Sequence, residues 1–163
     1  MNHLETLIAE YLDWRGYLVR RNTKVGKLAH GGWAMELDVV GYNPHTNHLV
    51  HYEPSIDGYS WATREERFSL KFAQARKHIL SELFSWLPKD TPIEQIAICV
   101  THPQDRNNVG GGRLQSLDEF VAEVRSAVIK SGTANQNAIS ETYPLLRTLQ
   151  LTHCGYNKVI SFK

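Results

Sequence analysis

The stretch from Glu36 to Ser55, ELDVVGYNPHTNHLVHYEPS, holds two carboxylates, Asp38 and Glu53, inside apolar runs on either side of a turn-rich centre. Side chains on a strand alternate faces, so Glu36, Asp38 and Val40 share one side of the first run, and His51, Glu53 and Ser55 share one side of the second. A four-residue loop, Pro44 to Asn47, pairs Asn43 with His48 and sets Asp38 opposite Glu53. A two-residue loop, Thr46-Asn47, leaves both acids on one face, displaced by one pair. Either way two like charges meet with Cβ atoms roughly 5 Å apart, which destabilises a sheet unless something positive lies between them. A divalent cation held by carboxylate oxygens meets that need. Mg²⁺ or Mn²⁺ is favoured, because the donors are hard oxygens and no Cys or His cluster competes.

Around the two acids the periodicities define a short list of elements. Leu4, Leu7, Ile8, Tyr11 and Leu12 mark an amphipathic helix over Leu4 to Trp14, which Gly16 ends. YLVRRNTKV, WAMELDVVGY and HLVHYEP follow as three antiparallel strands, divided by the Gly26 to Gly32 loop and by NPHTN. From Thr63 to Trp86 apolar residues recur at Phe68, Phe72, Ala75, Ile79, Leu83 and Trp86, a long helix with Thr63 and Glu66 as its capping box. Pro88 and Pro92 stop it, and IEQIAICV is a fourth strand reached by a helical crossover. The order to residue 101 is αβββαβ. Beyond it lie a loop with DRNNVGGGR, a helix from the Ser116-to-Glu119 capping box to about Lys130, a polar linker SGTANQN, a helical stretch over Glu141 to Leu151, and a short final strand, KVISF. This last third reads as a layer on the same sheet, within one α/β domain spanning residues 1 to 163.

The bulk properties agree with that reading. A chain of 163 residues that is 42% hydrophobic can bury one sizeable core. No apolar run approaches the roughly 20 residues that span a bilayer, and the acids in MNHLETLIAEY do not suit a signal peptide, so a soluble cytoplasmic protein without membrane contact is expected. Cys99 and Cys154 are too few for a disulfide framework and are read as reduced thiols. A net charge of +1 does not by itself mark a nucleic-acid binder. That case rests on local clusters: Arg20, Arg21, Lys24 and Lys27 on and after the first strand, and Arg64, Arg67, Lys71, Arg76 and Lys77 on the long helix. Such cations contact phosphates without reading sequence.

This element order, with an acid on the second strand and another on the third, resembles the PD-(D/E)XK nuclease superfamily, the restriction-endonuclease-like fold. The resemblance covers roughly residues 4 to 101. It matches Asp38 in ELDVV to the family's strand-two acid, Glu53 in HYEPS to the acid of its acid-x-Lys motif, and Glu10 in LIAEY to its helix-one carboxylate. The motif lysine position is Ser55, whose hydroxyl carries no charge at neutral pH. Some members carry the lysine on the following helix, where Lys71 and Gln74 in FSLKFAQARK are the natural candidates, on a row with Arg67 and His78. The implied activity is Mg²⁺-dependent hydrolysis of phosphodiester bonds in DNA. Asp38, Glu53 and the Pro54 carbonyl would serve as ligands, Glu10 as an outer or second-metal ligand, and Lys71 as the replacement lysine.

The remaining features are weaker signals. The Gly110-Gly111-Gly112-Arg113 turn lacks a P-loop ending and is read as a flexible loop rather than a phosphate cradle, with Arg113 a candidate nucleic-acid contact. His45 and His48 suit turn and surface roles, while His51 shares a face with Glu53. Trp33, Tyr59 and Trp61 are read as core rather than as base-stacking platforms. Two rivals stand beside the nuclease: a nuclease-like domain without catalysis that binds DNA or serves structurally, and a small-molecule binder with an apolar pocket. Nothing in the sequence excludes a homodimer.

Overall fold

In a computed structural model describing residues 3–158, the elements run α1 (His3–Trp14), β1 (Leu18–Lys27), β2 (Trp33–Asn43), β3 (His48–Ser55), α2 (Trp61–His78), a π-helical turn (Ile79–Leu83), β4 (Ile93–Cys99), β5 (Asn108–Val109), β6 (Gly112–Ser116), α3 (Leu117–Ser131) and α4 (Pro144–Cys154). The order through β4 is the αβββαβ read from the sequence. The residues group into two compact units, one through Leu117 and one from Asp118. No helix among the described residues is long and apolar enough to cross a membrane. Both cysteines are buried and unpaired. All of the expected strand KVISF but Lys158 lies outside the described residues, and the last helix starts three residues later than expected, with Pro144 at its first turn.

The first unit is built on a six-stranded mixed sheet in the order β1-β2-β3-β4-β6-β5. The β2–β3 hairpin takes the four-residue loop, with Asn43 paired to His48. Asn43 explains the choice: its side-chain oxygen accepts from His45 N at 2.9 Å and Thr46 N at 3.2 Å, an Asx turn that folds the chain back. Asn47 closes the loop at φ +53°, and its Oδ1 accepts from Tyr42 Oη at 2.9 Å. Strand β3 then pairs in parallel with β4 from Leu49↔Ile93 to Ser55↔Cys99, which makes α2 a crossover.

Helix α2 begins earlier than its sequence suggested. Ser60, not Thr63, is the N-cap, and its Oγ accepts from Thr63 N at 3.3 Å. Phe68, Phe72 and Ala75 are buried on it, continuing into Ile79 of the π turn. The π turn shifts the row: Phe84 N bonds to Ile79 O, Leu83 packs against the core and Phe84 is buried in it, and Trp86 is 60% exposed instead of ending the apolar row. Trp33 and Tyr59 are likewise about half exposed and not core, whereas Trp61 is half-buried and packs against the core cluster of Phe68 and Phe72.

The glycine run is not a flexible loop. It is the β5–β6 hairpin, with Val109 paired to Gly112 and β6 adding a parallel strand beside β4. Gly110 and Gly111, at φ +59° and +79°, form a two-residue turn that other residues enter only with strain. Its short strands and composition hid it, since Asn and Gly are poor strand formers. Gly112 serves packing, because a Cβ there would overlap the Phe72 ring and lie 2.9 Å from the Gln95 carbonyl oxygen. Gly112→Ala is expected to cost about 2 kcal/mol through overpacking, seen as a lower urea midpoint at unchanged slope.

The second unit holds α3 and α4. Its polar pin is the fully buried Gln150 on α4. Its amide donates to Gly132 O at 2.9 Å and Asn137 O at 2.8 Å, and its Oε1 accepts from Ile139 N at 3.0 Å. The linker SGTANQN is thereby fixed by backbone groups that one side chain satisfies.

Candidate active site

The two acids meet where the sheet opens. The β2–β3 ladder runs from Asn43↔His48 to Val39↔Tyr52, and the same register sets Asp38 opposite Glu53. There the pairing ends: β2 continues against β1 alone, and β3 continues against β4 alone. Asp38 N, left without a ladder partner, lies 3.4 Å from Glu53 Oε1 and donates to that carboxylate. The opening sits at the carboxyl end of β3, between an antiparallel and a parallel neighbour. Open α/β sheets place ligand crevices outside the carboxyl ends of their strands.

Lys71 enters this opening from α2. Its Nζ donates to Glu53 Oε2 and lies 3.4 Å from Asp38 Oδ2. Residues 64, 68, 71, 75 and 78 form one row at helical spacing, and Arg64, Phe68, Ala75 and His78 of that row are buried. Lys71 is therefore on the inward side of α2, with its stem along apolar surface and its head at the acids. Burial opposes its charge, but Glu53 and then Asp38 outweigh that and raise its pKa above the ordinary lysine value.

The two carboxylates are driven apart in proton affinity. Burial first, then the Glu53 charge and a hydrogen bond to it, push Asp38 up to about 8, with Glu5 adding and Lys71 opposing. Burial works against Glu53 too, yet His51, Lys71 and the Asp38 hydrogen bond outweigh it and hold Glu53 below the ordinary carboxylate range. One proton is shared between them: Asp38 holds it and Glu53 is the ion.

A buried polar chain fixes Glu53 from behind. His51, fully buried, lies with Nε2 2.8 Å from Glu53 Oε1, and because the acceptor is ionised Nε2 carries the hydrogen. Gln95 is its cross-strand partner on β4, with Nε2 3.5 Å from His51 Nδ1 and 3.0 Å from the Phe72 carbonyl oxygen; Arg76 donates to Gln95 Oε1. Sequence reasoning put His51 on the right face without giving it a role. The signal was a histidine two residues before an acid on a strand buried on both faces. His51→Ala is expected to destabilise by about 3 kcal/mol in urea unfolding, since it leaves a cavity and takes a donor from a buried anion. His51→Gln, which keeps a donor, should cost less.

The other candidates fall in several places. Ser55 donates to Asp57 Oδ2 rather than to either acid. Pro54 and Ser55 line a cleft of about 240 Å³ together with Ile56, Asp57, Arg64, Arg67, Phe68 and Lys71. Gln74 is half-buried, three residues past Lys71. On α1 the acid whose field reaches Asp38 is Glu5, which shares the buried face with Ile8, Ala9 and Leu12, whereas Glu10 is only half-buried. Glu5 Oε2 accepts from Asn22 Nδ2 at 3.1 Å, and Asn22, at φ +45°, stands opposite Asp38 in the β1–β2 register. Arg20, Arg21, Lys24 and Lys27 are exposed on the edge strand β1, with Arg20 and Lys24 on one face and Arg21 and Lys27 on the other. Lys77 is exposed on α2. Arg113 Nε is 3.0 Å from Glu94 Oε1, and the same carboxylate meets His48 Nε2 at 2.8 Å.

Fold and site together define a mixed-sheet α/β domain in which two carboxylates and an ammonium converge where the sheet parts. In comparisons with protein-family models, curated proteins and solved structures, nothing matches this chain.

Proposed function

We propose that this chain is a Mg²⁺-dependent phosphodiesterase of the PD-(D/E)XK type acting on DNA, with the motif lysine carried by α2. The observation that carries the reading is Lys71, whose ammonium bridges Asp38 and Glu53 while Ser55, at the motif position, is bound to Asp57. The αβββαβ order and the parting of β2 from β3 at the two acids support it. The neighbouring cleft has three cationic side chains in its lining, which does not suit the apolar pocket of a small-molecule binder.

The donor set suits Mg²⁺, which proteins hold through one or two carboxylates and which keeps several of its waters. The place between Asp38 and Glu53 already accommodates a positive charge, that of Lys71. An all-protein cage is not present: among the described residues no group of three or more His, Cys, Asp or Glu side chains converges on a metal position. Asp38, Glu53 and the Pro54 carbonyl would hold the ion, which when bound polarises a phosphate and acidifies a water.

The chain's own groups divide the remaining work. Lys71 keeps its proton at neutral pH, so it serves as a fixed charge and hydrogen-bond donor toward a phosphate oxygen and not as a base. His51 and Asp38 N hold Glu53 Oε1, which leaves Oε2 toward Lys71. Asp38 gives up its proton before its oxygens can ligate.

One observation favours the reading without catalysis: the Lys71 contact balances the Glu53 charge with no metal at all. Nicking of supercoiled plasmid and single-stranded DNA in Mg²⁺, Mn²⁺ or EDTA, beside a calorimetric metal titration, separates the two. The enzyme reading requires cleavage that EDTA stops and that Asp38→Ala abolishes. Uncut DNA at every metal concentration, with no metal binding, would replace it with the non-catalytic module.

A further inference from the structure

We propose that the cleft beside Lys71 is a phosphate site, which seats a phosphate of the nucleic-acid strand next to the one presented to Asp38 and Glu53. The choice of polymer and the place beside the phosphate presented to Asp38 and Glu53 rest on the nuclease reading; the anion chemistry stands on the cleft itself.

The cleft is about 240 Å³, and its charged lining is Arg64, Arg67, Lys71 and Asp57. Lys71 is already committed to the two acids, so two guanidiniums face one carboxylate. Arg64 is nine-tenths buried, and its Nε is a buried nitrogen without a hydrogen-bond partner. Leaving a charged donor unsatisfied in the interior is costly, and a bound anion would relieve that cost. Asp57 fills the role poorly: its Oδ1 is 3.7 Å from Arg64 Nε and its Oδ2 is 3.4 Å from Arg67 Nη1, while Oδ2 also takes the Ser55 hydroxyl. A phosphate with three or four acceptor oxygens can satisfy Arg64 Nε and Arg67 together. Arg64 is held for this by its Nη2 contact to the Asp57 carbonyl and by the Trp61 ring, 4.9 Å away. Arg67 is half exposed, stacks over Tyr59 at 4.5 Å and lines the cleft beside Arg64. No acid occupies the first turn of α2, so the positive end of that helix adds to the field.

Asp57 gives the site its test, because it competes for the same guanidiniums. Binding of a short fluorescein-labelled single strand is measured in EDTA for the wild type, Asp57→Asn and Arg67→Ala, with melting curves to establish folding. Asp57→Asn is expected to bind severalfold tighter, whereas a purely structural ion cluster predicts no gain. Arg67→Ala is expected to bind about tenfold weaker, and inorganic phosphate should compete with the strand on the wild type. If Asp57→Asn does not fold, Arg67→Ala decides alone. Strands with a 5′-phosphate, a 3′-phosphate or hydroxyl ends locate the source: tighter binding of one phosphorylated end assigns a terminal phosphate, and equal binding assigns an internal one. No binding by the wild type, or folded variants that bind as it does, overturns the proposal. The nuclease reading fails separately, if the strand is bound but left uncut in Mg²⁺. The phosphate site fails alone if Arg67→Ala cuts the strand with an unchanged KM.

Discussion

Asp38→Asn is expected to reduce metal-dependent cleavage by a thousandfold or more while making the protein more stable at alkaline pH. The loss of cleavage follows because an amide cannot offer the anionic oxygen a hard divalent ion needs. The gain in stability follows from the pKa of Asp38, raised in the fold from 3.8 to about 8 by burial and by Glu53. A carboxyl group with a raised folded pKa binds its proton more tightly in the native state than in the unfolded chain. Its contribution is complete below pH 3.8, the unfolded value, and is lost as pH rises through about 8. Wild-type stability from this group therefore falls between those limits, by an amount on the order of a few kcal/mol. The asparagine variant lacks that fall. Urea unfolding at pH 5, 7 and 9 measures the divergence, and a variant that follows the wild type across the range would disprove the shared-proton account. The same proton governs metal affinity: apparent binding should strengthen about tenfold per pH unit up to about pH 8 and then level.

Lys71→Met is expected to damage both stability and cleavage, because it strands a buried anion. Glu53 is fully buried and Lys71 supplies its ammonium partner, and removing one member of such a pair costs about 3 kcal/mol. Cleavage should fall by about a hundredfold or more with the loss of a fixed positive donor. The sign of the pH effect is opposite to that of Asp38. Glu53 has a depressed folded pKa, so its contribution is present above the unfolded value of 4.5 and is lost as pH falls toward about 2. Without Lys71 that window narrows, and the midpoint of acid unfolding followed by circular dichroism should move to higher pH. Restoring an ammonium on the strand gives the sharpest check. Ser55 shares a face with Glu53 and is two residues further on, so Ser55→Lys in the Lys71→Met background should recover part of both stability and cleavage. A double variant as impaired as Lys71→Met would mean that the helix position, and not the charge alone, is what the site requires.

The legible part of the site was its local part. Asp38 and Glu53 could be placed on one face from alternation alone, because the strand period is two whatever surrounds it. Lys71 could be named only as one member of a row, since a helix's spacing says which residues share a face but not which way that face points. The same limit explains Glu5 and Glu10. Both lie on α1, and only the packing of Ile8, Ala9 and Leu12 shows that Glu5 is the one turned inward. Gln95 was unreadable because its meeting with His51 depends on the parallel register of β3 and β4, strands joined through α2.

By itself the sequence determined the absence of a lysine at position 55, and also the αβββαβ order and the pairing parity of the two acids, which follow from local periodicity and one hairpin turn. Only the tertiary structure decided that β2 and β3 part at Asp38 and Glu53, that Lys71 fills the gap, and that His51, Gln95 and Arg76 stand behind it. The physical reason is that a strand's divergence and a helix's rotation are set by the whole core. A charge of fixed sign finds its partner only after that core has chosen its packing.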